Sequence, residues 1–205
     1  MLTTSNWLKK LSYQVTKEDL ENFRITQDIK EHDIENFINL WLTEGIPFAF
    51  KDIPFLYQII RYKLSKDLGI HSKNISLIGS ARLGFSSTHF KNFNIENSDL
   101  DFFMVSQDYF DKIVEEIKNW LLEEQNDRKK TIKNQKERGF LNTWYIPNCH
   151  QYTKKVNTSV TNINTWLHNQ DCLPKINKNP KWAGIRIYRD WDAVVKQNIL
   201  SLKKC

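Results

Sequence analysis

The sequence predicts an α/β (α+β) domain, a small, mixed, twisted sheet with packed helices, and three observations carry that expectation. Short apolar runs, Ile75–Ile78 and Phe102–Val105, are bounded by turn residues, as strands are. The stretches on either side repeat apolar residues at helical spacing. A chain of 205 residues that is 40% hydrophobic and 13% aromatic can also bury a substantial core. The simplest organisation is one domain over 1–205, with a helical N-terminal part (1–70), a central core (71–125) and a basic C-terminal part (126–205).

Residues 17–45 read as helix, broken around Thr26, because Leu20, Phe23, Ile34, Phe37, Ile38 and Trp41 recur near helical spacing and Gly45 stops the pattern. A second helix opens near Asp52 with Pro54 in its first turn and stops at Gly69. The connection IHSKN then delivers the first strand. After the second strand, Ser106 or Asp108 can cap a helix whose Phe110, Ile113, Ile117 and Leu121 share one face, ending near Glu124. The stretch NDRKKTIKNQKER, at 126–138, reads either as a basic loop or as a polar helix. Residues 139–165 are rich in aromatic and β-branched residues and predict one or two further strands or an irregular layer, with a helical turn starting at Trp166. Residues 171–182 carry two prolines and three lysines and read as loop. The chain closes with a strand, Gly184–Tyr188, and a helix from about Asp190 to Leu202.

Composition narrows the function classes. The first residues hold no apolar run long enough for a secretory signal, and no segment approaches the ~18 consecutive apolar residues of a membrane span, so a soluble, cytoplasmic protein without a membrane partner is expected. Cys149, Cys172 and Cys205, odd in number and widely spaced, form no disulfide framework, in keeping with a reducing compartment. The net charge of +6 is unevenly distributed: residues 1–125 carry 14 Lys and Arg against 19 Asp and Glu, whereas residues 126–205 carry 16 against 5. The basic part suits a polyanion such as RNA or a nucleotide triphosphate, and it equally suits a solvated surface.

Chemistry concentrates in Ile75–Ser106. Residues two apart on a strand share a face, so Asp99 and Asp101 can present two carboxylates together at the start of the second strand, and paired hard oxygen ligands suit Mg²⁺ or Mn²⁺. Alone, Asp-x-Asp is a weak signal. Gly79-Ser80, placed just after the other strand, strengthens it: Gly79 permits close backbone approach, and the Ser80 hydroxyl with the amides that follow can hold triphosphate oxygens. Arg82 reads either as a fixed positive charge for the nucleotide or as a structural salt bridge to one carboxylate.

The run Gly-Ser-x-Arg-x-Gly after a strand, a spacer, then Ser-Asp-Leu-Asp opening an apolar strand resembles the signature of the polymerase-β-like nucleotidyltransferase superfamily, including its minimal, toxin-type and defence-type members. The resemblance covers about residues 75–106. It implies a nucleotidyltransferase fold and transfer of a nucleoside monophosphate from an NTP to a hydroxyl. On these positions it implies Asp99 and Asp101 as catalytic metal ligands and Gly79, Ser80 and Arg82 as nucleotide-binding residues. An RNA such as tRNA, or a protein, would be the acceptor, and a bacterial toxin–antitoxin or phage-defence role is a corollary. The alternative is a catalytically degenerate module that binds nucleotide, RNA or a partner protein. One departure favours that alternative. Many superfamily members carry a third carboxylate on a later strand, and here Gly184–Tyr188 offers Arg186 at its centre, with Asp171, Asp190 and Asp192 the acids that remain nearby.

Weaker signals have ordinary readings. Cys149-His150 and His168-x-x-x-Cys172 match no common zinc spacing. Trp144, Tyr145, Tyr152 and the later aromatics interleave with basic residues, a pattern that suits either base stacking or core. His89, Phe90 and Phe93, in the spacer, either close over a nucleotide base or pack the loop.

Overall fold

A computed structural model describes residues 11–12, 14–26, 29–95, 98–123, 126–169 and 185–203. The chain is α+β, with one four-stranded mixed sheet covered by helices on both faces. Two helices, α1 (Lys17–Ile25) and α2 (Glu31–Thr43), precede α3 (Pro54–Leu68), and strand β1 (Ile75–Leu77) leads into the single turn α4 (Ser80–Leu83). Strand β2 (Phe102–Val105) is followed by α5 (Gln107–Glu116), α6 (Lys118–Leu122) and α7 (Asp127–Glu137). Strand β3 (Phe140–Asn142), helix α8 (Gln151–His168), strand β4 (Ile185–Tyr188) and helix α9 (Trp191–Lys203) complete the order.

Local chemistry explains most boundaries. The Thr16 hydroxyl accepts from the Asp19 amide while the Asp19 carboxylate accepts from the Thr16 amide, a reciprocal cap that starts α1. Pro54 occupies the first turn of α3, where its missing N–H costs nothing, and Gly69 ends the helix in the left-handed conformation. Ser106 caps α5 by accepting from the Tyr109 amide at 3.3 Å. Asn126 likewise caps α7, so of the two readings of the 126–138 stretch, the helix is the one observed.

The sheet order is β1-β2-β4-β3. β1 runs antiparallel to β2, β2 parallel to β4, and β3 antiparallel to β4. One cross-strand row, Leu77, Phe102 and Ile185, points into the core formed with α3, α5 and α8. The next row, Ser76, Phe103, Arg186 and Asn142, points to the opposite face, which α1, α2 and α9 cover around Phe103 and Tyr188.

The expectation of one or two strands over 139–165 holds for one and needs correction for the rest. Only Phe140–Asn142 is extended there, and α8 takes Gln151–His168. Val156, Val160, Ile163 and Leu167 recur three to four residues apart, so one stripe of α8 is buried against α3 and α5, and that burial overrides the β propensity of its threonines and valines. The loop read for 171–182 lies outside the described residues. Among the described residues, no helix is long and apolar enough to cross a membrane.

Candidate active site

Strand directions bring the sequence-predicted groups to one end of the sheet. Because β1 is antiparallel to β2, its C-terminal end, with Gly79 and Ser80 just beyond, meets the start of β2, where Asp99 and Asp101 lie. The Ile78 amide donates to the Asp101 carbonyl at 2.9 Å, which carries the pairing one step past the strands and fixes the two motifs side by side.

Gly79 takes φ 68° and ψ −150°, a region only glycine occupies readily. A Cβ placed there would stand 3.5 Å from Asp101 Oδ2, so the peptide of the Gly-Ser turn lies against that carboxylate. The turn launches α4, whose first amides point beyond its N-terminus toward any anion placed there.

Asp99 is exposed and Asp101 half-buried. Partial desolvation of its carboxyl raises Asp99 from its ordinary value. Burial also raises Asp101, the Arg186 charge pulls it back, and the neighbouring Asp99 charge adds to the rise. Arg186 is opposite Phe103, two residues beyond Asp101 on the same sheet face. It therefore stands at this end of the sheet, beside the carboxylate pair. The Tyr188 hydroxyl on that face is buried without a hydrogen bond of standard geometry, and burial raises its ionisation against the pull of Arg186.

Arg82 is engaged with backbone carbonyls. It is 7% exposed, and its guanidinium donates to the carbonyls of Trp41 (2.7 Å), Gly45 (3.3 Å) and Glu44. These acceptors sit at the C-terminal end of α2, where helical carbonyls lack intrahelical donors. Arg82 thus caps α2 from α4 and makes no salt bridge to Asp99 or Asp101. The spacer aromatics pack the loop: Phe90 stacks on Phe85 with centroids 6.3 Å apart under the Arg24 guanidinium, and Phe93 meets Phe48 edge-on.

Asp190 and Asp192 lie at the wrong end. They follow the C-terminus of β4, whereas Asp101 opens β2, and four strand residues separate these ends by about 13 Å. Asp190 is occupied in pairing with Arg189 at 2.9 Å and capping α9 through the Ala193 amide, and Arg189 holds its carboxyl below the usual range. Asp171 lies outside the described residues. Asn142, paired with Arg186 across the sheet, is a polar member of this end that sequence reasoning missed, because only the β3–β4 register places it there.

The donor set fits a hard cation of the Mg²⁺ or Mn²⁺ kind. A partly buried carboxylate, Asp101, and a more exposed one, Asp99, lie at the same sheet end as the Gly79-Ser80 turn. Among the described residues, no group of three or more His, Cys, Asp or Glu side chains could hold a metal, so an ion here would rely on the carboxylate pair together with nucleotide phosphate oxygens.

No family model matches the sequence, and neither a curated protein nor a solved structure shows significant similarity to it. The functional reading therefore rests on the residues themselves.

Proposed function

We propose that the chain is a nucleotidyltransferase that moves a nucleoside monophosphate from an NTP to a hydroxyl of an RNA or protein acceptor. The observation that carries the reading is the approach of the Gly79 turn to the Asp101 carboxylate at one sheet end, which supports a turn that holds phosphate beside a pair that holds a cation. In this reading the Ser80 hydroxyl and the α4 amides orient the β- and γ-phosphates, and Asp99 and Asp101 hold Mg²⁺. The bound ion would neutralise the triphosphate and stabilise the departing pyrophosphate. Arg186 offsets part of the carboxylate charge: two Asp and one Arg sum to −1, which favours one resident ion over the pair that three carboxylates would hold. The acceptor must present its hydroxyl from the open side of the same end, opposite the pyrophosphate, for in-line displacement.

The test is incubation with each α-labelled NTP, Mg²⁺ and either total RNA or cell lysate. Label is expected on a macromolecular acceptor with the wild type and at least a hundredfold less with Asp99→Ala/Asp101→Ala, as for removal of a principal charge-stabilising group. Equal labelling by both proteins would sink the proposal. Arg186 at the place of a third carboxylate favours a second reading, a nucleotide- or RNA-binding module without chemistry. Triphosphate binding indifferent to Mg²⁺, with no pyrophosphate release against any acceptor, would support it.

A further inference from the structure

A cavity of about 610 Å³ lies where the C-terminal end of α4 meets α2, the start of α1 and the spacer between the two motifs. That volume is in the range of sites for small organic molecules. Phe48, in the single turn Phe48–Phe50 before α3, packs on Gly84, where an added Cβ would stand 2.7 Å from its ring. Phe93 meets the same ring edge-on, and Trp41 and Phe85 add further flat surface to the lining. The cavity is separate from the carboxylate end. Ser80 opens α4 beside Asp101, whereas the lining takes Arg82 to Phe85, at and beyond the other end of that turn.

The charge of the lining decides what it suits. Among the described residues it holds two cations, Lys17 and Arg82, and no Asp or Glu, although residues 1–125 carry more acids than bases. Lys17 lies over the Phe85 ring, with Nζ 5.9 Å from its centroid. Three backbone carbonyls take three of the five N–H groups of Arg82, so dipoles rather than a bonded carboxylate balance its charge. Trp41 is 3% exposed, and its indole Nε1 is buried with no acceptor. A buried N–H left without an acceptor is destabilising, so a ligand that supplies one gains from it.

We propose that this cavity is a binding site for a small planar aromatic anion, its ring against Phe48, Phe85 and Trp41 and its anionic group toward Lys17 and the Trp41 N–H. A neutral ring would leave the cations without a counter-charge, and a small inorganic anion would leave the rings unfilled; an aromatic anion uses both. The site does not rest on the nucleotidyl-transfer reading, since Gly79, Ser80, Asp99 and Asp101 take no part in it.

The test is titration of the full chain with 2-naphthoate in Mg²⁺-free buffer, followed by nitrogen–proton correlation NMR, with 2-naphthylmethanol as the uncharged control. Saturable shifts of the Gly84 and Phe85 amides and of the Trp41 indole N–H are expected, with a dissociation constant of about 1 mM or tighter for a ligand of this size. The alcohol should bind about tenfold more weakly. Lys17→Gln should weaken naphthoate about threefold and leave the alcohol unchanged, and added salt should erase that difference. Trp41→Phe keeps a ring, removes the N–H and should weaken naphthoate about fivefold. Matching melting curves show which variants are folded, and Lys17→Gln, at the partly exposed first residue of α1, carries the test if Trp41→Phe does not fold. No saturable shift in the wild type, equal affinity for acid and alcohol, or folded variants that bind naphthoate as the wild type does would overturn the proposal. Asp99→Asn/Asp101→Asn should bind naphthoate normally; loss of binding there would put the probe at the sheet end and overturn it equally. Naphthoate binding that persists while no nucleotide labelling is ever seen removes the transferase and keeps the cavity site.

Discussion

Asp101 is the residue on which the electrostatics of the site converge. Its carboxyl is raised from the ordinary 3.8 chiefly by burial, with the Arg186 attraction recovering only part of that cost. A folded-state pKa above the unfolded one means that the native chain binds the extra proton, so stability falls as pH climbs from about 3.8 through the raised value and the penalty then persists to neutral pH. Asp101→Asn is therefore expected to melt at a higher temperature than the wild type near pH 7, with the difference vanishing near pH 3, where both side chains are neutral. Thermal scans across that range in metal-free buffer check it; a variant less stable than the wild type at neutral pH would show that the Arg186 contact outweighs the burial. Adding Mg²⁺ should reverse the order, since an ion that binds only the native wild type raises its stability. Gly79, Ser80, Asp99 and Asp101 were legible in the sequence because each motif is contiguous and borders a strand whose apolar run marks it. Arg186 was legible as a departure, but its nearness to Asp101 needed the β2–β4 register.

At the level of elements, long-range partners decide what local pattern leaves open. Arg82 looked like a ligand for phosphate because it shares a motif with Gly79 and Ser80, yet its acceptors lie up to 41 residues upstream at the end of α2. No local reading could find them. Its burial lowers the guanidinium pKa from the ordinary arginine value, and the three carbonyl contacts are what keep a charged group tolerable there. Arg82→Ala should strip the α2 cap and cost about 3 kcal/mol in chemical denaturation. Arg82→Lys should rescue less than half, since a lysine cannot reproduce a planar fork that spans three acceptors. Nucleotide binding measured on the folded fraction should change little, which separates this capping role from the expected ligand role. The α8 segment misled for the converse reason: its threonines, valines and aromatics have the composition of strands, while the stripe of Val156, Val160, Ile163 and Leu167 that makes it a helix is spaced for α3 and α5. Helix α3 was legible because cap and stop agreed with periodicity; the start of α5 was legible from its Ser106 cap, while the single helix read to Glu124 breaks at Ile117 into α5 and α6.

Across the whole molecule, the sheet works as a device for gathering dispersed groups at one end. A turn after β1, a carboxylate pair before β2, Arg186 at the start of β4 and an aromatic turn after β3 come from four separate stretches of the chain and lie at one end of the sheet because of the strand directions in the β1-β2-β4-β3 order. The division of charge along the sequence has a matching layout. Acidic α1 and α2 lie with α9 over one face, and basic α7 follows the β3 edge toward the carboxylates. The most direct measurement of the central claim is isothermal titration of a non-hydrolysable NTP analogue into wild type and Asp101→Asn, each with and without Mg²⁺. Tight binding that needs both Mg²⁺ and Asp101 is the expected result. Binding of equal strength in all four titrations, or none in any, would contradict a joint phosphate and cation site at Gly79, Ser80, Asp99 and Asp101.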